Sequence, residues 1–169
     1  MKKVILLAAV LLTAAVAGAQ VRFVDATQLT LIGKALPTPH PYHRIDTTLY
    51  KGFTPTENQQ IRCSAGLALV FKTNSTRIDV RPVYTSFVYG GTSTPRVASE
   101  GFDLYIRKDG EWLYAASQAA GKRGRKFTLI QEMDTTQNEL LLYLPNYSEL
   151  LSLQIGVDSA ETITPMENP

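Results

Sequence analysis

Apolar and polar positions alternate most regularly along residues 101–117. Two alternating runs are joined there by the Asp-Gly dipeptide at 109–110, which accepts the positive φ angles of a two-residue type I′ turn. The pattern predicts a β-hairpin with these two residues as its loop, in a register that places Arg107 opposite Trp112.

That register divides the side chains of the hairpin between two faces. The predicted core face carries Phe102, Leu104, Ile106, Leu113 and Ala115. The second face carries Asp103, Tyr105, Arg107, Trp112 and Tyr114. Aromatic rings on one face suit either stacking on sugar rings or packing against another protein surface. We favour packing, and the candidate contact residues of this face are Tyr105, Arg107, Trp112 and Tyr114.

The remaining apolar runs are short. They predict strands at 27–32, 64–73, 77–82, 127–130, 139–144 and 151–157, with 64–73 and 77–82 paired as a second hairpin. The polar residues 54–60 and the residues up to Glu100 are predicted as loops. No 3.6-residue apolar period lasts for three turns, so no long helix is expected. Seven to nine short strands separated by turn signals indicate an all-β fold, an antiparallel, jelly-roll-like β-sandwich.

The two ends of the chain differ from its middle. Residues 1–19 combine two lysines, an apolar run and a final Ala-Gly-Ala, which is typical of a secretory signal peptide and too short to span a membrane. We expect export to the periplasm or beyond, with no membrane attachment after cleavage. Residues 20–158 are the predicted sandwich domain. The polar residues 159–169 are predicted to connect it to a further domain.

Charge narrows the class of partner. Removal of residues 1–19 takes away two lysines, and the formal net charge falls from +2 to zero. Neither nucleic acid nor an anionic membrane is therefore indicated as a partner. The remaining basic cluster, Lys122–Lys126, is interpreted as a solvated loop, with contact to an acidic polysaccharide as the alternative. Cys63 is the only cysteine, so no intrachain disulfide can form.

Catalytic groups are few. A nucleophilic serine needs a histidine base and an orienting carboxylate. The two histidines, His40 and His43, lie three residues apart in a proline-rich stretch. The Gly-Thr-Ser within 89–93 lies between predicted antiparallel strands, without the strand-to-helix turn of a nucleophile elbow. As a metal site, His40 and His43 would need further ligands from elsewhere, and Asp46 is the only carboxylate close in sequence. No phosphate or dinucleotide loop occurs. The chain is predicted to be non-catalytic by itself, without metal or cofactor.

Several short motifs carry a family resemblance. The Gly-Phe-Asp-Leu-Tyr segment at 101–105 resembles the Gly-x-Asp-Leu-Tyr signature of the N-terminal, non-catalytic domain of secreted SGNH-type (GDSL-like) esterases, many from Bacteroidetes. Supporting segments lie at 42–44, 64–66, 71–75, 133–134, 142–147 and 155–158. The resemblance covers about residues 25–160 and implies the same sandwich fold.

The resemblance implies an accessory domain that packs on a catalytic SGNH domain and helps to shape its substrate cleft. The alternative is a free-standing carbohydrate-binding sandwich, with glycan as its partner, and a purely structural protein is a third possibility. Tyr42 and Arg44 resemble a Tyr-x-Arg element of the family. An arginine fork suits internal pairing or docking against the catalytic domain or its substrate, so both residues are candidate contacts.

Overall fold

Two antiparallel sheets form the protein. The computed structural model describes residues 20–88, 93–119 and 126–167. Its strands are β1 (Val21–Asp25), β2 (Thr30–Ile32), β3 (Ala68–Thr73), β4 (Ile78–Val88), β5 (Gly101–Lys108), β6 (Glu111–Ala119), β7 (Phe127–Ile130), β8 (Asn138–Tyr143), β9 (Ser148–Asp158) and β10 (Ile163–Pro165). Two short helices, α1 (Pro55–Ile61) and α2 (Arg96–Glu100), complete it.

The strand order confirms the predicted antiparallel sandwich. One sheet has the order β1-β9-β4-β7, and the other has the order β10-β3-β8-β5-β6. The second sheet gains a sixth strand because β2 also pairs with β3. Strand β10 pairs with residues 71–73 and β2 with residues 68–70 of the same strand. Within the described residues there are ten strands, of which β1 and β10 were not among the strands predicted from the sequence.

The core lies between the two sheets. Its fully buried side chains include Leu67, Leu69, Phe71, Ile78, Phe102, Leu104, Leu140, Leu142, Leu150, Leu153 and Ile155. Burial of each of these large apolar side chains contributes about 1.5 to 3 kcal/mol relative to exposure. Both sheets supply residues to one continuous cluster, so packing between the layers holds the fold together.

The predicted hairpin is present as β5 and β6. Asp109 and Gly110 have φ angles of 51° and 85°, as a type I′ turn requires. Arg107 faces Trp112 in the predicted register. Beyond Tyr114 the register shifts by one residue, which marks a β-bulge in β6.

One residue of the predicted core face is not in the core. Leu113 is 53% exposed, whereas Phe102 and Leu104 are fully buried. Leu113 lies near the hairpin tip on the edge strand, and its cross-strand partner Ile106 is itself only partly buried. Alternation alone identifies a face but does not show how far the opposing sheet extends over it.

The second predicted hairpin is wrong. Strands β3 and β4 follow each other in sequence but belong to different sheets, so residues 74–77 form a corner rather than a hairpin turn. The Asp158 carboxylate accepts hydrogen bonds from the backbone N–H (3.1 Å) and the hydroxyl (2.8 Å) of Thr76 at this corner. A partner more than 80 residues away in sequence therefore sets the direction of the chain.

The loops predicted at 54–60 and up to Glu100 are also partly wrong. Helix α1 has a capping box, because the Thr54 hydroxyl accepts from Glu57 N–H and the Glu57 carboxylate accepts from Thr54 N–H. Strand β4 extends to Val88, and α2 precedes β5. The first part of the strand predicted at 27–32 is a 3₁₀ turn, Ala26–Gln28.

Some predictions concern residues outside the described ranges. They are the signal peptide at 1–19, residues 122–125 of the basic cluster and residues 89–92 of the Gly-Thr-Ser segment. In the described part of the chain, no helix is long and apolar enough to cross a membrane. Beyond the boundary predicted at residue 158, β10 joins the sheet and Met166 is only 3% exposed.

Gly33 is predicted to be more sensitive to substitution than Gly110. Both have φ near +85°, but a Cβ on Gly33 would lie 2.2 Å from the Gly66 carbonyl oxygen, whereas a Cβ on Gly110 would meet nothing within 4 Å. The unfavourable φ alone costs about 1 to 2 kcal/mol, which is roughly 2 to 8 °C in melting temperature. We expect Gly33→Ala to lower the melting temperature clearly further than Gly110→Ala in thermal denaturation. Equal losses would show that the close approach at Gly33 is relieved at no cost.

Candidate functional site

Four aromatic side chains lie on the outer face of the six-stranded sheet. We call them the aromatic face: Tyr105, Trp112, Tyr114 and Tyr143. The Tyr105 ring makes edge-to-face contacts with the rings of Tyr114 and Tyr143, each with centroids 5.8 Å apart and planes 79° apart. Tyr114 is 62% exposed and Tyr143 is 40% exposed. Tyr143 is a member that the sequence analysis missed, although its place between two inward-facing leucines signalled an outward position.

A charged row borders the aromatic face, and we define it as Lys72, Glu139 and Arg107. Glu139 contacts the Lys72 ammonium at 2.8 Å and the Arg107 guanidinium at 3.4 Å. The hydrogen bond from Lys72 is the main cause that lowers the pKa of the Glu139 carboxyl. The Arg107 guanidinium also lies 5.7 Å from the centroid of the Trp112 ring. The four contact residues predicted on the hairpin therefore lie together on one surface: Tyr105, Arg107, Trp112 and Tyr114.

An aliphatic cluster adjoins the aromatic face. Its buried members are Ala68, Val70, Leu141 and Met166. Tyr105 and Trp112 pack against this cluster, together with Ile32. The segment that follows β10 thus crosses this side of the sheet and buries the Met166 side chain there.

Tyr42 and Arg44 are not members of the aromatic face. Tyr42 is 2% exposed and belongs to the main core. Burial raises the pKa of its phenol, and within the described residues its hydroxyl has no hydrogen-bond partner. Tyr42 is therefore a core side chain in this conformation and is not accessible to a partner.

Arg44 pairs with backbone carbonyls near the end of α1. Its Nη2 donates to the Gln60 carbonyl at 2.8 Å, and its Nε donates to the Cys63 carbonyl at 3.0 Å. The last carbonyls of a helix lack intrahelical donors and carry partial negative charge, so a guanidinium is well placed there. These partners belong to the same chain, which gives Arg44 a structural role.

Arg44 also lines a pocket of about 310 Å³. The other lining residues are Gln60, Cys63, Ala65, Asn146 and Tyr147. The Ser64 hydroxyl donates to the Pro145 carbonyl at 2.8 Å and joins the two loops that form the pocket walls. Burial raises the pKa of the Cys63 thiol to about 11, so this sulfur is protonated at neutral pH and is a poor nucleophile.

A cluster of charged groups and histidines, of which only Glu149 is buried, lies close in sequence to the pocket residues. The His43 Nε2 is 2.9 Å from the Glu149 carboxylate, which also lies 3.5 Å from the Arg62 Nε. The His40 and His43 rings stack with centroids 4.1 Å apart. Burial is the main cause that lowers the pKa of both imidazoles. Sequence reasoning missed Glu149, a charged residue inside an otherwise apolar strand.

The described residues offer little to a metal ion. Within them, no group of three or more histidine, cysteine, aspartate or glutamate side chains is placed to hold one.

Comparison with known proteins identifies the family. A family model described as GxDLY, the N-terminus of SGNH-hydrolase-type esterases, matches residues 21–163. The chain belongs to this GxDLY family. No curated protein sequence matches it.

Two solved structures resemble this GxDLY domain. A GDSL-like lipase from Bacteroides ovatus is 40% identical with a TM-score of 0.84, and the match covers 89% of this chain and 44% of that chain. The salicylyl-acyltransferase SsfX3 from a tetracycline biosynthetic pathway is 18% identical with a TM-score of 0.57, and the match covers 88% of this chain and 42% of that one. The second likeness shows the fold alone. The GxDLY domain spans less than half the length of either protein.

Arg44→Ala is predicted to destabilise the GxDLY domain. Loss of two charge-assisted hydrogen bonds to part-buried carbonyls should cost about 2 to 3 kcal/mol, which is roughly 4 to 12 °C in melting temperature. Arg96→Ala is the matched control, because the Arg96 side chain is 50% exposed and lies 3.7 Å from Glu100. An unchanged melting temperature for Arg44→Ala would contradict the structural role.

Mild acid is predicted to destabilise the domain through its two histidines. Their folded-state pKa values lie below the ordinary value of 6.5, so the unfolded chain binds more protons as the pH falls below 6.5. The stability that they contribute is present above that pH and is lost below it. We expect the melting temperature to fall as the pH is lowered below about 6.5, and the melting temperature of the double variant His40→Gln/His43→Gln to fall less over the same range. An identical pH profile for the variant would refute this origin.

Proposed function

We propose that this GxDLY domain is a non-catalytic accessory domain of an SGNH-type esterase, where it packs against the catalytic domain and helps to shape the substrate cleft. The family match across residues 21–163 is the observation that carries the proposal. The comparison with the GDSL-like lipase supports it, because more than half of that chain lies outside the match. A catalytic domain is thus the partner for which this chain is suited.

The arrangement of the histidines supports a non-catalytic role. Within the described residues, the hydrogen bonds that involve His40 and His43 go to Glu149 and to backbone groups rather than to a serine hydroxyl. Burial also lowers the pKa values of both imidazoles below the ordinary 6.5, whereas a general base works best with a pKa near the operating pH. Chemistry on an ester bond is therefore assigned to the partner domain.

The pocket beside Arg44 supports a contribution to the cleft. Asn146 and Gln60 offer amide donors and acceptors, Tyr147 offers an aromatic ring, and the pocket has room for a small polar group. As parts of the same proposal, residues 1–19 direct export and the chain beyond the sandwich leads to the catalytic domain.

Sequencing of the gene beyond Pro169 tests the proposed function. We expect a hydrophobic strand followed by a Gly-(Asp/Thr)-Ser-x-x-x-Gly block within about 20 residues, since an SGNH nucleophile lies near the start of its domain. A stop codon at that point, with no esterase gene alongside, would overturn the proposal.

A further inference from the structure

We propose that the aromatic face is the surface on which the hydrolase domain of the same polypeptide packs. This inference rests on the proposed function and adds the location of the interface. The occupant is a folded protein domain rather than a peptide or a sugar chain.

The path of the chain is the first argument. Strand β10 lies at one edge of the six-stranded sheet, with Thr164 opposite Lys72. Two residues later the Met166 side chain is buried against Val70 and Leu141, on the same side of the sheet as Tyr105. A domain that follows Met166 in the polypeptide is tethered to this side of the sheet, and tethering raises its effective concentration at the aromatic face.

The composition of the surface is the second argument. The exposed rings of Tyr114 and Tyr143 flank Tyr105, which packs against the buried aliphatic cluster, and the charged row borders these rings. Protein interfaces have the same arrangement, with aromatic residues at the centre and charges towards the rim. Tyr114 and Tyr143 remain 62% and 40% exposed although they adjoin a buried cluster. Coverage by a partner would remove this apolar surface from water.

The ring geometry favours a protein over a glycan. A flat platform on which successive sugars stack needs ring faces that lie nearly in one plane. Here the Tyr105 ring is turned by 79° from both Tyr114 and Tyr143. The Trp112 ring is also approached by the Arg107 guanidinium. Interlocking rings of this kind suit an uneven protein surface.

The opposite sheet is a poorer candidate. On its outer side, the Arg81 guanidinium lies 3.6 Å from the centroid of the Phe23 ring and donates to Gln154 at 3.0 Å. This surface is therefore partly covered by polar groups of the domain itself. A competing surface is the loop before α1, which exposes Leu49, Tyr50 and Phe53. The experiment must therefore distinguish an interface at this loop from one at the aromatic face.

The signature segment of the family points the same way. Gly101 is required by packing, because a Cβ there would lie 2.0 Å from the Val97 carbonyl oxygen. Leu104 is fully buried in the core. Asp103 and Tyr105 face outward instead, and the Asp103 carboxylate accepts a hydrogen bond from Ser117 at 2.5 Å. Tyr105 lies at the centre of the aromatic face, so packing within the sandwich leaves part of the signature unexplained.

Hydroxyl-radical footprinting tests the location. The oxidation rates of Tyr114 and Tyr143 are measured in this chain alone and in the longer polypeptide that includes the hydrolase domain. We expect severalfold slower oxidation of both tyrosines in the longer polypeptide. Tyr50, which is 43% exposed in the loop before α1, is the internal reference and should oxidise equally in both.

A pair of variants of the longer polypeptide sharpens the test. Tyr114→Glu places a charge on the aromatic face, and Tyr50→Glu is the matched control. Both positions are exposed, where substitutions usually change stability by less than about 0.5 kcal/mol. We expect Tyr114→Glu to restore the oxidation of Tyr143 and to separate the unfolding transitions of the two domains in calorimetry. Tyr50→Glu should leave both measurements unchanged.

Other outcomes overturn the inference in distinguishable ways. Protection of Tyr50 and Phe53 instead of Tyr114 would move the interface to the loop before α1 and leave the proposed function intact. No protection at any residue, with two independent unfolding transitions, would overturn the packing part of the proposed function as well. Protection of Tyr114 in this chain by added xylan or pectin oligosaccharides, without protection by the hydrolase domain, would make the aromatic face a glycan-binding surface.

Discussion

The Asp158 carboxylate holds the corner at which the chain passes from one sheet to the other. It accepts two hydrogen bonds from Thr76, and the Asp158 backbone N–H donates to the Ser75 hydroxyl at 3.0 Å. Asp158 is only 8% exposed, and these hydroxyl and N–H donors take the place of water at its Oδ2 atom, whereas its buried Oδ1 atom has no hydrogen-bond partner within the described residues. The corner fixes how β3 and β4 diverge, and the inner faces of the two sheets meet only because of that divergence.

Five of the six supporting segments of the family resemblance come together at two places in the fold. The segments at 71–75 and 155–158 meet at the Asp158 corner. The segments at 42–44, 64–66 and 142–147 meet around the pocket, where Arg44 binds carbonyls near the end of α1 and Ser64 binds the Pro145 carbonyl. Residues that show no catalytic pattern in sequence thus have a clear structural task, since each group joins loops that are distant along the chain.

Sequence reasoning succeeded where the determinants are local. The hairpin at 101–117 follows from one turn dipeptide and from alternation, and both its loop and its register near the turn were predictable. Helix α1 was missed although Thr54, Pro55 and Glu57 form a readable capping signal. The corner at 74–77 and the partners of Arg44 depend on contacts with distant segments, which no local pattern contains. The same holds for Leu113, whose exposure depends on where the opposing sheet ends.

The shared edge of β3 makes the two ends of the domain depend on each other. Strands β2 and β10 cover consecutive halves of this edge, so neither can lengthen without displacing the other. Loss of β10 would leave unpaired those backbone N–H and C=O groups of residues 71–73 that point away from β8 towards the open edge. A fragment cut at Asp158 would therefore present a template for strand addition by a second copy. The three residues of β10 thus protect the domain against self-association through this edge.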